Sequence, residues 1–274
     1  MANFLIYSAL LTGESVLKKV EDTMRRDWDK RARRDAFLYI ASWRKDWDKE
    51  SFFESGEQDY LRLVHSVLQE LRFDPANKAM AELGCGAGRM TRSFAQRFQS
   101  VFAVDISAEM QSRAKEYLQS FFNIRWILSS GETFSCIESC SVDFVFSYLV
   151  LQHMPTKEVI CSSIREMMRI LRPGGVFLFQ FNGSDQPTMN WKGRTISAIL
   201  DGVASVGLHS ASRRIAGVVG IDPEMVGKTW RGASLNSAQI AEALRSSQGS
   251  PDNFLDANTS LAWCYGHKQL EDRH

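Results

Sequence analysis

The stretch AELGCGAGRM, residues 81–90, holds three glycines in five positions, Gly84, Gly86 and Gly88, just after the acidic Glu82. Glycine lets backbone approach a ligand with no Cβ in the way. In a dinucleotide site such a turn has the spacing G-x-G-x-x-G and seats a pyrophosphate on a helix N-terminus. Here the third dinucleotide glycine is replaced by Arg89. Two further carboxylates bear on the choice. Asp105 lies 21 residues past Gly84, where a ribose-binding acid belongs, and Glu132 follows in SSGET. Three negative side chains at successive strand ends would repel a pyrophosphate. They suit a ligand with a positive centre, a ribose diol and an adenine amine, and S-adenosylmethionine is such a ligand.

These residues need a sheet to bring them together. AMAEL (79–83), VFAVD (101–105), IRWIL (124–128), VDFVFS (142–147) and GVFLFQF (175–181) are continuous apolar runs. Strands of that kind are buried on both faces, as in a parallel sheet. Helical stretches separate them: Arg89 to Phe98, Ala108 to Phe121, and Lys157 to Leu171, the last stopped by Arg172-Pro173-Gly174-Gly175. The alternation predicts a doubly wound α/β fold with a mostly parallel, seven-stranded Rossmann-like sheet. Residues 1–73 form an N-terminal helical cap, 74–183 the core, 184–235 an insertion after strand five, and 236–274 a final helix and strand. In the cap, Ser15 to Arg34 reads as a charged helix. Asp59 to Phe73 reads as an amphipathic one, with Leu61, Val64, Leu68 and Leu71 on one face, ended by Asp74-Pro75.

ELGCGAGRM, VFAVDIS, SSGETF, DFVFSYLVLQHMP and LRPGGVFLFQF, in this order, resemble the class I S-adenosylmethionine-dependent methyltransferases, most nearly the small-molecule "type 11" group. The resemblance covers about residues 78 to 181. It implies that Glu82 and the turn with Cys85 and Arg89 hold the methionine part. It implies that Asp105 binds the ribose, with Ile106 and Met110 against the adenine. Gly131, Glu132 and Thr133 then meet the adenine edge, although the family often has aspartate at position 132. Ser147 and Tyr148 line the methionine end. His153 in LQHMP sits where related enzymes place a residue near the transferred methyl, with general base, pocket wall and structural helix-start residue all open.

Acceptor selection falls to segments outside the core. Tyr39, Trp43, Trp47 and Tyr60 of the cap, with Trp191, Trp230 and Arg231 of the insertion, are the expected acceptor contacts, suited to a planar or apolar small molecule. For each aromatic, plain packing is the competing reading.

Composition narrows the classes. Formal net charge is +1 overall and +3 over residues 18–50, where signs are mixed, so neither nucleic acid nor an anionic membrane is favoured. The apolar opening MANFLIYSALL is shorter than the roughly 20 residues of a membrane helix. Five scattered cysteines form no C-x-x-C pair, so no metal is expected and a reduced, cytoplasmic protein fits. The expected partner is a small-molecule methyl acceptor, with a homodimer left open. The rival readings are a peptide or protein methyltransferase, a non-catalytic cofactor-binding partner subunit, and a nicotinamide-dependent oxidoreductase.

Overall fold

The computed structural model describes residues 2–129, 134, 136–184, 214–216, 218, 222–226 and 229–270, with side chains from residue 18 onward. Seven strands form one sheet: β1 (Ala79–Leu83), β2 (Ser100–Asp105), β3 (Ile124–Leu128), β4 (Val142–Ser147), β5 (Leu171–Phe181), β6 (Gly249–Leu255) and β7 (Ala262–Lys268). Their order is β3-β2-β1-β4-β5-β7-β6. The first five run parallel, and β7 pairs antiparallel with both β5 and β6. This is the doubly wound, mostly parallel architecture expected from the apolar runs.

Side chains alternate across the strands into two cores. On one face Phe144 and Phe146 meet Phe94, Phe98 and Tyr60. On the other, Val145, Phe177 and Phe179 meet Ile164, Met167 and Leu244. The first face carries α1 (Ala2–Ile40), α2 (Lys49–Asp59), α3 (Ser66–Glu70), α4 (Thr91–Ala95) and α5 (Ala108–Tyr117); the second carries α6 (Lys157–Ile170) and α7 (Ser237–Arg245).

Several boundaries differ from the sequence reading, each for a local reason. Helix α1 extends beyond the expected Ser15–Arg34 span and breaks at Asp35, which is extended (φ −167°, ψ 96°). The Asp35 carboxylate accepts the Leu38 N–H at 3.0 Å and starts the last turn afresh. Between α2 and α3 the helix passes through a π-turn, Tyr60–His65, whose extra residue shifts the phase. Leu61, expected on the apolar face, is therefore 48% exposed, while Val64 and Leu68 are buried. Helix α3 stops at Glu70, before Asp74-Pro75. Strand β5 starts directly at Leu171, so Arg172–Gly175 lie within the strand, where its register against β4 shifts.

Candidate active site

Parallel pairing sets Leu83 beside Val104 of β2 and Ser147 of β4, so the C-terminal ends of three strands share one edge. The strand order reverses between β1 and β4, and the crevice outside such a reversal is where α/β sheets take ligands. The glycine turn lies there, tied to β2 by Gly84 and Cys85 N–H groups donating to the Val104 carbonyl at 2.7 and 3.0 Å. Gly84 has φ +76°, and a Cβ on it would fall 2.1 Å from Val150. The turn and the chain after β4 thus meet at a distance that only glycine allows.

Two buried carboxylates flank the turn. Glu82 accepts the Thr91 hydroxyl at 2.6 Å, and burial pushes its pKa up to about 7. Asp105 accepts the Gly86 N–H and the Ser107 N–H, each at 2.8 Å, yet burial still raises its pKa to about 6. Both resist ionisation because little water reaches them. A bound cation would relieve that penalty. Beside them the guanidinium of Arg89, 3% exposed, pairs with Asp59 at 2.8 Å and Ser55 Oγ at 3.3 Å. It lies 5.3 Å from the centroid of Trp43 and 5.8 Å from that of Tyr148. A carboxylate and a guanidinium on one cavity wall match the ammonium and carboxylate of an amino acid. A floor without side chains and acids of this kind fit an adenosyl sulfonium with its methionine end.

A second stretch of the cavity wall is aromatic. His153, in the short 3-10 turn Leu151–His153 after β4, is set against Trp28 and Trp230, with ring centroids 5.3 and 5.1 Å apart. Its Nδ1–H donates to the Trp230 carbonyl. Burial, and secondarily Arg31, lowers its pKa to about 4, so the imidazole is neutral at pH 7 with Nε2 as its acceptor atom. Segment 229–233 is zipped to this turn: Gly232 N–H donates to Gln152 O and Ala233 N–H to Met154 O, both at 2.8 Å. A Cβ on Gly232 would lie 2.2 Å from the Met154 carbonyl oxygen. Gly232→Ala is accordingly expected to cost about 2 kcal/mol in chemical denaturation; native stability in that variant would contradict the close approach.

Helix α1 closes the roof. The fully buried Arg31 donates to Glu224 O (2.9 Å), Thr229 O (3.2 Å) and Thr229 Oγ1 (3.2 Å). Its guanidinium also lies 4.7 Å from the Trp28 centroid and 5.3 Å from that of Trp230. Tyr39 donates its hydroxyl to Asp222 at 2.9 Å.

The glycine turn, Glu82, Asp105, Arg89, His153, Trp28, Trp230 and Tyr39 border one cavity of about 790 Å³, with Arg31 behind its wall. Of the residues expected at the site, Glu82, Gly84, Cys85, Gly86, Arg89, Asp105, Ile106, Met110, Tyr148 and His153 line it, as do Tyr39, Trp43, Trp230 and Arg231. Others are placed elsewhere. Gly88 packs toward Leu118, and Ser147 donates to the Leu83 carbonyl at 3.2 Å, tying β4 to β1. Trp47 donates to the Ala41 carbonyl and packs on Phe52; Tyr60 is buried against Phe94. Neither lines the cavity, since each is consumed in packing the N-terminal helices on the sheet. Gly131, Glu132, Thr133 and Trp191 lie outside the described residues. Sequence reasoning missed Met24, Trp28 and Ile40 of α1 and the polar Ser129 and Gln152, all of which line the cavity. Trp28 sits in RDWDK, where flanking charges disguise it as a solvated face. Among the described residues, no group of three His, Cys, Asp or Glu side chains forms a metal-ligand set, and no helix is long and apolar enough to cross a membrane.

Residues 81–179 match the family model described as a methyltransferase domain. The chain is 31% identical over 153 residues to a ubiquinone biosynthesis O-methyltransferase of Xanthomonas oryzae pv. oryzae, covering 54% of this chain and 60% of the relative. It is 34% identical over 107 residues to a malonyl-[acyl-carrier protein] O-methyltransferase of Pectobacterium atrosepticum, covering 38% and 40% respectively. It thus spans at most about three fifths of the length of these relatives. Among solved structures, the magnesium protoporphyrin IX methyltransferase of Synechocystis with bound S-adenosylmethionine superposes with a TM-score of 0.57 at 14% identity, covering 91% of this chain and 97% of that one. The phosphoethanolamine N-methyltransferase 1 of Haemonchus contortus gives 0.59 at 17% identity, covering 93% and 50%. At such identities these two likenesses concern the fold.

Proposed function

Because the chain belongs to the class I S-adenosylmethionine-dependent methyltransferases, we propose that it methylates an oxygen or nitrogen atom of a small aromatic or apolar molecule. The observation that carries this reading is the shared cavity, lined both by a glycine turn with two buried carboxylates and by a neutral histidine among tryptophans. S-adenosylmethionine, when bound, supplies an electrophilic methyl carbon whose bonding electrons leave with a neutral sulfur. The protein's part is then alignment and exclusion of water. Glu82 and Arg89 hold the amino-acid end, Asp105 holds the ribose, and Ile106 and Met110 wall the adenine. Trp28 and Trp230 wall a flat acceptor beside His153, Trp43 borders it near Arg89, and Arg231 meets its polar edge. His153 takes the acceptor proton at Nε2.

Calorimetry checks the first half: S-adenosylhomocysteine binds at micromolar concentration and NAD does not, and the reverse result removes the reading. Labelled methyl transfer to metabolite fractions then finds the acceptor. On that acceptor His153→Ala is expected to lower turnover about 100-fold with cofactor affinity unchanged; full turnover makes His153 a wall residue only.

A further inference from the structure

We propose that Gln180, buried on β5 and absent from the cavity wall, is the positioning residue that keeps His153 Nε2 unprotonated through Gln152, so that the acceptor that reaches it is one bearing an O–H or N–H. The inference rests on the reading of the cavity as a methyl-transfer site.

The two ends of the Gln180 amide have unambiguous partners. Its Oε1 accepts the Leu149 N–H at 3.1 Å. Its Nε2 donates to Phe181 O at 2.8 Å, Ser260 O at 3.0 Å and Gln152 Oε1 at 3.3 Å. Turning the amide over would set N–H against N–H and oxygen against three oxygens, so only one orientation is stable. Leu149 is held with φ +59°, a conformation that leucine avoids, on the cavity wall beside Gln152. A buried amide that satisfies a strained backbone N–H in this way is part of the wall's construction.

The orientation of Gln180 fixes that of Gln152. With Gln152 Oε1 facing the Gln180 N–H, its Nε2 faces Nε2 of His153 at 3.3 Å. The imidazole proton is committed to Nδ1 by the Trp230 carbonyl, so Nε2 carries a lone pair and accepts from Gln152. A second ring proton would point N–H at N–H. Gln152 cannot turn over to escape this, because its NH2 would then oppose the NH2 of Gln180. Of the other elements packed on the ring, α1 supplies Arg31, whose positive charge acts in the same direction, and Trp28 and Trp230 supply apolar faces.

Two consequences follow for the acceptor. Gln180 has two N–H bonds for three acceptors, and Gln152 Oε1 is the most distant of them. Gln152 is thus weakly held at its oxygen, and its amide, which occupies the His153 Nε2 lone pair at 3.3 Å, is the group an acceptor must displace. An acceptor O–H or N–H that displaces it hydrogen-bonds to Nε2, and the proton lost on methylation is taken up there with the Gln152 N–H no longer opposing it. A carboxylate or phosphate oxygen brings no hydrogen and does not displace Gln152 from Nε2.

Nitrogen-15 spectra of histidine-labelled, full-length protein test the relay, with His153 assigned by its loss in His153→Gln. The native protein is expected to show a neutral, Nδ1-protonated ring that persists below pH 6. In Gln180→Leu the fixed tautomer is expected to give way to a mixture, with the titration midpoint up by about one pH unit. Gln152→Leu, which spares the interior of β5, is expected to do the same, so a folding defect in the first variant does not decide the matter. His153 signals and midpoint unchanged in both variants overturn the proposal. Calorimetry with S-adenosylhomocysteine on the native protein keeps the two readings apart: failure to bind removes the methyl-transfer reading, whereas the His153 spectra judge the relay alone.

Discussion

Glu82→Gln is expected to weaken S-adenosylmethionine binding roughly 100-fold, about 3 kcal/mol. The substitution keeps the shape and removes the charge. In water such a loss would be small, but Glu82 is 4% exposed, so its attraction to a cation is screened by little solvent. The same burial makes binding pH-dependent. The unliganded carboxyl has its pKa raised to about 7, and only the ionised form attracts an ammonium. Affinity is therefore expected to be constant above pH 7 and to fall about tenfold per unit below it, more steeply below about 6 where Asp105 also takes up a proton. The fold responds with the opposite sign. A carboxyl whose folded pKa lies above its ordinary 4.5 contributes stability that is full below 4.5 and is lost as pH rises toward 7. The unliganded protein is thus less stable at neutral pH than this group alone would permit in acid, and the ligand's positive charge offsets the deficit. Calorimetry between pH 5.5 and 8 reads this directly. A flat native profile, or one that Glu82→Gln leaves unchanged, would mean that Glu82 does not face the cofactor.

The glycine-turn wall of the cavity was legible in the sequence because it is built locally. Glu82, the glycine turn and Asp105 lie at the ends of strands buried on both faces, and such strands write continuous apolar runs that glycine interrupts. The aromatic wall is assembled from distant parts. Arg31 meets Thr229 across 198 residues, and no periodicity in either segment announces the contact. Aromatic residues in the cap misled for a related reason: type and count do not distinguish Trp43, which lines the cavity, from Tyr60, which fills the core. Strand β6 escaped notice because it is an edge strand. Its sequence, GSPDNFL, contains a proline and an aspartate, which an edge tolerates and an interior strand does not. The relay through Gln180 needs two glutamines brought 3.3 Å apart by the pairing of β4 with β5, and neither stands out in the chain.

The second large effect is expected at the roof. Arg31→Met is expected to lower the unfolding free energy by about 3 kcal/mol, whereas Arg33→Met, two residues away, costs under about 0.5 kcal/mol. Both arginines reach another element from the same helix, and counting polar contacts would not rank them so far apart. Burial does. Arg33 pairs with Glu109 at 3.2 Å, but its side chain is 55% exposed and water replaces the partner. Arg31 is fully buried, and its removal leaves the Glu224 carbonyl and both Thr229 oxygens without that donor, while Trp28 and Trp230 lose the cation between them. For a chain of this size 3 kcal/mol corresponds to a fall of roughly 6–12 °C in Tm. The functional consequence is selective. The glycine turn and Glu82 sit on the sheet and keep their geometry, so S-adenosylhomocysteine affinity should change little. Trp28, Trp230 and His153 lose their common anchor, so acceptor turnover should collapse, and proteases should cut α1 within residues 18–40 at native-like temperature. Equal, small losses in Tm for the two variants would show that α1 is held by its apolar face alone, and the buried guanidinium would then have no claim to fix the acceptor end of the cavity.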